Sequence, residues 1–302
     1  MTRSPGKPYA SANALRAAIV ARANTATRAD PRFTVQERLR QFAYARLLAR
    51  VFTFEPENWV LKGGVSLLAR VPGARHSLDV DLWGTQHSLA EAERALELAS
   101  AVDLGDHASF DVGPWSERRD EEARPLAQAT VHCRIGVRKF VSFGVDLVGG
   151  PFPALEAEQA PPLRPLQIPG LHDAPLRVYP LAATVADKLS GIFTRHGERL
   201  STRYRDLVDL VTILLSQRLA ARDVHTAINE ELGRQGLAVP AEFAVPDAVA
   251  WEAAYHTYAQ RLRHLQGMSF EEAVALVKEL LDPVLGGRRD GWWQPERRGW
   301  EP

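Results

Sequence analysis

The chain is poor in cysteine, lysine and methionine, and it has no long apolar run. Its 302 residues include one cysteine, Cys133, and two methionines. A lone thiol cannot form an internal disulfide, and it excludes a zinc site built from several cysteines. Lysine occurs at 7, 62, 139, 188 and 278 only, so arginine supplies the other 32 of the 37 basic residues. No uninterrupted apolar stretch reaches the roughly 18–20 residues that a membrane-spanning helix needs. Arg16, Arg22 and Arg28 break up the first segment, and nothing there reads as a secretion signal. The expectation is a cytoplasmic protein with no membrane partner.

What is present suits a folded chain. Hydrophobic residues at 45% and charged ones at 25% are enough for a sizeable core, as one large domain or two medium ones. The net charge is zero but unevenly spread. Residues 1–50 carry ten Lys or Arg against two acids, and residues 90–122 carry three Arg against ten acids. Two readings stay open: an arginine-favouring coding bias, or a basic arm that meets an anionic partner on one face.

Periodicity divides the chain. From Ser11 to about Val51 the pattern is helical, in two pieces parted at Asp30-Pro31. The second piece opens with Thr34 and Glu37 at capping-box spacing, and Val35, Leu39, Phe42, Ala43, Leu47 and Val51 follow a 3.6-residue repeat. Arg38, Arg40, Arg46 and Arg50 fall off that stripe, so they are expected to face water or a ligand. A short strand at 59–61 stops at Gly63-Gly64, and a helix at 65–71 ends at a Pro72-Gly73 turn. A strand at 77–83, an acidic helix near 89–101 and a hairpin within 126–148 follow.

Eight prolines between Pro151 and Pro180 mark an extended connector. Residues 181–285 read as helical, and the tail, with Trp292, Trp293 and Trp300 among arginines, as unstructured or docked on its own domain. The expected organisation is therefore basic helices at 1–57, an α/β core at 58–150, a connector at 151–180, a helical domain at 181–285 and a tail at 286–302. This is an α+β chain ending in a helical bundle.

The chemistry concentrates in Lys62-Gly63-Gly64-Val65-Ser66-Leu67, followed by Arg75-His76-Ser77-Leu78-Asp79-Val80-Asp81. Asp79 and Asp81 are two apart on a strand, so both carboxylates leave one face while Val80 and Leu82 enter the core. Adjacent carboxylates repel, and a hard divalent cation is the usual compensation. Asp146 falls on the polar side of the later strand and could complete a two-metal site. Gly63-Gly64 opens a helix with Ser66 in its first turn, which suits phosphate.

These residues resemble the minimal nucleotidyltransferase fold of the polymerase-β type, a mixed sheet flanked by helices. The fuller string, with Arg75-x-Ser77-x-Asp79-x-Asp81, is similar to the AbiEii/AbiGii toxin family, which includes the MenT toxins. Ala186-Asp187-Lys188-Leu189 and Arg205-Asp206-Leu207-Val208-Asp209-Leu210 resemble two later elements of that family. The resemblance runs from about residue 58 to 216. Leu78 departs from relatives that carry a polar residue there, and it is expected to point into the core.

The resemblance implies transfer of a nucleoside monophosphate from NTP, with tRNA as acceptor at its 3′ end, aminoacylation blocked, and a cognate antitoxin as partner. It implies Mg²⁺ on Asp79, Asp81 and Asp146. Lys62, Gly63, Gly64, Ser66, Arg75, Ser77 and Lys188 would hold the nucleotide, and Asp79, Asp81, Lys188 and Asp209 would be the catalytic set. Arg38, Arg46, Arg195, Arg199, Arg203 and Arg205 are weaker candidates for RNA contact. Arg195 and Arg199 join that set if the helix of Lys188 continues through Gly191 and Gly197. Arg205 and Asp209 could instead merely pair at i, i+4. Transfer to a protein hydroxyl or a small molecule, and a non-catalytic nucleotide-binding role, are the alternatives.

Overall fold

The computed structural model describes residues 9–71, 73–119, 125–151, 155–195, 199–287 and 289–302. Pro72, Gly197 and residues 1–8 of the basic arm lie outside them. The chain forms two compact units, one comprising residues up to 72 with 76–179, the other 73–75 with 180–302.

In the first unit, α1 (Ala12–Ala29) starts at Ser11, whose hydroxyl accepts from the Ala14 N–H. Its Leu15, Ile19 and Ala23, four apart, are buried against Phe42, Ile135 and Leu166. α2 (Val35–Phe54) opens with the Thr34–Glu37 capping box, both reciprocal bonds present. From Gln41 to Phe52 every residue of α2 is buried, so the helix is enclosed on all sides rather than along one stripe.

That enclosure corrects the expectation for the arginines of α2. Arg46 Nε and Arg50 Nη2 each lie 2.7 Å from a carboxylate oxygen of Asp106. Arg46 Nη1 also donates to the His172 carbonyl, and the Arg50 guanidinium stacks 5.0 Å from the Phe110 ring centroid. Burial alone would raise the pKa of Asp106, but Arg50 and Arg46 together hold its carboxyl below the usual range. Arg38 donates to the carbonyls of Ala26 and Asp30. Arg38 and Arg46 are thus internal cations with internal partners, not surface contacts offered to RNA. Arg40 is half-buried.

The sheet of this unit follows. β1 (Trp59–Lys62), α3 (Gly63–Arg70), β2 (Asp79–Gly84) and α4 (Leu89–Ser100) come first, then β3 (Ala108–Val112) and β4 (Ser116–Arg119). β5 (Pro125–Ile135) and β6 (Arg138–Gly149) form the expected hairpin, and β7 (Glu158–Ala160) and β8 (Leu176–Val178) end the unit. The order is β3-β5-β6-β2-β1-β8-β7, with β4 also on β5. β2 runs parallel to β6 and antiparallel to β1, so the sheet is mixed. The proline-rich stretch is more than a connector, because β8 pairs with β1. Val80, Leu82, Val141, Phe143, Val145 and Leu147 bury one face of the sheet, and Tyr44 of α2 meets Phe143 edge-on there.

The second unit is mainly helical: α5 (Leu181–Phe193), α6 (Tyr204–Leu214), α7 (Ala221–Arg234), α8 (Ala248–Ala259) and α9 (Phe270–Leu285). The tail is docked. β10 (Trp292–Gln294) pairs with β11 (Gly299–Glu301) and with β9 (Leu219–Ala220), and the fully buried Trp293 donates from Nε1 to the Leu214 carbonyl at 2.8 Å. α5 ends at Phe193, because Thr194 turns extended and both its N–H and its hydroxyl bond back to the Ser190 carbonyl. Arg195 and Arg199 are exposed but do not continue the face of Lys188.

Candidate active site

Strand register decides the first half of the site. Lys62 of β1 pairs across to Asp81 of β2, Asp81 to Asp146 of β6, and Asp146 to Gln128 of β5. Residues in lateral register share a face, so these four side chains form one row across four strands. Asp79 stands in the next row, opposite Gly144. Asp79 is exposed, while Asp81 and Asp146 are half-buried.

Glycines clear the space these acids occupy. Gly63 has φ +62°, and a Cβ there would fall 2.0 Å from Asp81 Oδ2. A Cβ on Gly144 would fall 2.2 Å from Asp79 Oδ1, and one on Gly64 2.6 Å from Ser77 Oγ. The first N–H groups of α3, from the Gly63-Gly64 pair, lack helical acceptors and suit an anion. Ser66 is buried and its hydroxyl donates to the Gly63 carbonyl at 3.0 Å, which ties the glycine pair to the first turn. Lys62 Nζ lies 4.3 Å from the Tyr179 ring centroid and 4.8 Å from that of Trp83.

Gln128, which the sequence reading did not single out, donates to Asp146 Oδ1 at 2.8 Å. Burial pushes the Asp146 carboxyl above the usual carboxylate range; the Gln128 bond works against that shift and the charge of Asp79 adds to it. The three acids share a face, yet among the described residues no three His, Cys, Asp or Glu side chains close on one metal position.

Leu78 corrects an expectation. It is 50% exposed rather than in the core. β2 begins only at Asp79, so Leu78 precedes the alternating pleat, and its backbone is held from behind. Tyr44 Oη lies 2.8 Å from the Leu78 carbonyl and 3.1 Å from that of Ser77, sharing one proton between them. Burial raises the pKa of Tyr44, which keeps it a donor. Nothing local in the sequence marks Tyr44, since its partners lie more than thirty residues away.

The second unit carries the other conspicuous cluster. Lys188 Nζ lies 2.6 Å from Asp209 Oδ2 and 2.9 Å from Asp206 Oδ1. Arg75 grips both oxygens of Asp209, Nε at 2.9 Å and Nη2 at 2.7 Å, and Arg203 Nε reaches Asp206 at 2.5 Å. Burial works against the charges of Lys188, Asp209 and Arg75. Even so, Lys188 and Arg75 hold the Asp209 carboxyl below its usual range, and Asp206 and Asp209 hold the Lys188 ammonium above its own. The alternative pairing of Arg205 with Asp209 is not made. Arg205 is exposed and donates to Tyr258 Oη at 3.2 Å instead. Gly191 makes room for Arg203, since a Cβ there would meet its Nε at 2.7 Å.

Residues 46–279 match the model of the nucleotidyl transferase AbiEii toxin family of type IV toxin–antitoxin systems. The chain belongs to this family. Among solved structures, JHP933 from Helicobacter pylori is 14% identical, with 83% of this chain and 93% of that one covered and a TM-score of 0.45. A second Helicobacter pylori protein, described as a nucleotidyltransferase, is 15% identical, with 83% and 95% covered and a TM-score of 0.44. No curated protein matches the chain. The matched span contains the glycine pair, the acid-x-acid strand, Asp146 and both helical motifs. The match leaves α1 and the first part of α2 outside.

Proposed function

We propose that the protein transfers a nucleoside monophosphate from NTP to the 3′ end of tRNA, which stops aminoacylation and arrests growth until a cognate antitoxin intervenes. The observation that carries this reading is the row of Asp81 and Asp146 with Asp79 beside it on one sheet face, kept clear by Gly63 and Gly144. Membership of a nucleotidyltransferase toxin family supports it.

The donor set fits a hard divalent cation, because it offers carboxylate oxygens and no sulfur or imidazole. Space that a Cβ would fill has been left beside two of the acids. Asp79 and Asp81 would hold Mg²⁺, and Asp146 would join them by giving up its bond from Gln128. The metal would offset triphosphate charge and acidify the acceptor hydroxyl. The N–H groups opening α3 and the hydroxyl of Ser77 would take phosphate oxygens, and Lys62 would add positive charge at the same face. In the second unit, Asp209 would fix the positions of Lys188 and Arg75, whose charges serve the nucleotide. The exposed Arg195, Arg199, Arg203 and Arg205 would meet RNA phosphates.

The test incubates the protein with Mg²⁺ and each NTP labelled in the α-phosphate, with and without total tRNA. Label entering tRNA, lost with EDTA and falling steeply as salt rises, supports the proposal. Label entering protein alone would replace the RNA acceptor with a protein hydroxyl. NTP binding without transfer to any acceptor would favour a non-catalytic role.

A further inference from the structure

The first unit holds a second concavity, with chemistry unlike that of the acidic face. α1, α2 and the segment 163–173 line a cavity of about 370 Å³, within the size range of small-molecule sites. Three arginines line it, Arg22, Arg46 and Arg164, against one carboxylate, Asp173. Phe42 and Leu171 add apolar wall.

Arg46 decides what the cavity suits. Its side chain is only 2% exposed; Nε is bound to Asp106 and Nη1 to the His172 carbonyl and Asp173. Nη2 is buried and has no hydrogen-bond partner among the described residues. A buried donor on a cation left unmet is a costly arrangement that native structures seldom keep without a ligand or water to fill it. The local charge points the same way. Asp106 already serves Arg50 as well as Arg46, and Asp173 serves Arg164 as well as Arg46. Arg22, Arg46, Arg50 and Arg164 therefore outnumber Asp106 and Asp173 by two.

We infer that this cavity binds a small organic anion: a phosphate or carboxylate head on an apolar or aromatic body. The head would accept from Arg46 Nη2 and meet Arg22 and Arg164 at the rim, with the body against Phe42 and Leu171. α2 packs on the sheet face opposite Asp79, Asp81 and Asp146, and none of those acids lines the cavity. The occupant is separate from the nucleotide of the proposed reaction, and the inference does not rest on that reaction.

The experiment titrates the full chain with 1-anilinonaphthalene-8-sulfonate, an anionic head on an aromatic body, and follows fluorescence, with phenyl phosphate as competitor. Arg46 is left intact because it braces α2. Arg22→Ala with Arg164→Ala removes only exposed cations, and an unchanged urea midpoint checks the fold. The expected result is one saturable site, displaced by phenyl phosphate, weakened about tenfold or more in the double variant, and unaltered in Asp79→Ala. No saturable binding, equal affinity in the double variant, failure of phenyl phosphate to compete, or loss of the site in Asp79→Ala would each overturn the inference.

Discussion

The acidic face of the first unit and the Lys188 cluster of the second treat charge in opposite ways. On the sheet face, Asp79, Asp81 and Asp146 stand side by side, and burial leaves Asp146 harder to ionise than an ordinary carboxyl. In the cluster, two buried carboxylates meet three cations, and Asp209 is held ionised. An arrangement compensated from within needs no ligand to be stable; a row of neighbouring carboxylates is suited to receive a cation. The difference separates carboxylates that would hold a metal from carboxylates that fix their cationic neighbours.

That contrast can be broken most severely at Lys188. Lys188→Ala leaves Asp206 and Asp209 buried with less compensation, and removing one partner of a buried pair costs about 3–5 kcal/mol. Urea unfolding should register a loss of that order, whereas Asp146→Asn should not lower the midpoint at all. Equal effects would erase the distinction. Gly63→Ala comes next: with φ at +62° and Asp81 Oδ2 at 2.0 Å from the new Cβ, strain of about 1–3 kcal/mol is expected. It should be accompanied by loss of Mg²⁺-dependent NTP binding measured by calorimetry.

The dependence on pH sharpens the comparison without any substitution. Asp209 has its pKa lowered from 3.8, so its share of stability is present above 3.8 and is lost as pH falls through the lower folded value. Lys188 has its pKa raised from 10.5, so its share is complete below 10.5 and is lost as pH rises through the folded value. Between pH 3.8 and 10.5 these two groups add no slope to the unfolding free energy. Asp146 has its pKa raised from 3.8, so its ionised form opposes folding, and that cost is present above its folded value. Unfolding of Asp146→Asn followed from pH 4 to 8 should therefore show a gain over the parent that grows with pH. The smallest effect is at Tyr44→Phe: losing the hydroxyl that steadies Ser77 and Leu78 should cost about 1 kcal/mol, and should raise the Mg²⁺ concentration needed for half-maximal transfer more than it lowers the maximal rate.

Much of this was legible in the chain because it rests on short-range rules. The Thr34–Glu37 box, the strand parity of Asp79, Asp81 and Asp146, and the glycine pair opening α3 are all fixed by spacings of a few residues. What the sequence hid depends on long-range partners. Arg46 and Arg50 looked solvated because Asp106 is more than fifty residues away. Arg75 read as a nucleotide ligand with no internal partner in view, because Asp209 lies in another motif. Gln128 becomes visible only once the β5–β6 register sets it opposite Asp146. β3 and β4 are brief strands, and β7 and β8 sit in a stretch whose prolines argued for a connector.

The most direct test of the central claim is nucleotidyl transfer by Asp79→Asn protein whose urea midpoint equals that of the parent chain. Transfer of α-phosphate label to tRNA is expected to fall by about 10²–10³ or more, the scale on which a charge-stabilising group contributes. Asp79→Asn protein that folds normally and transfers label at the parent rate would contradict it.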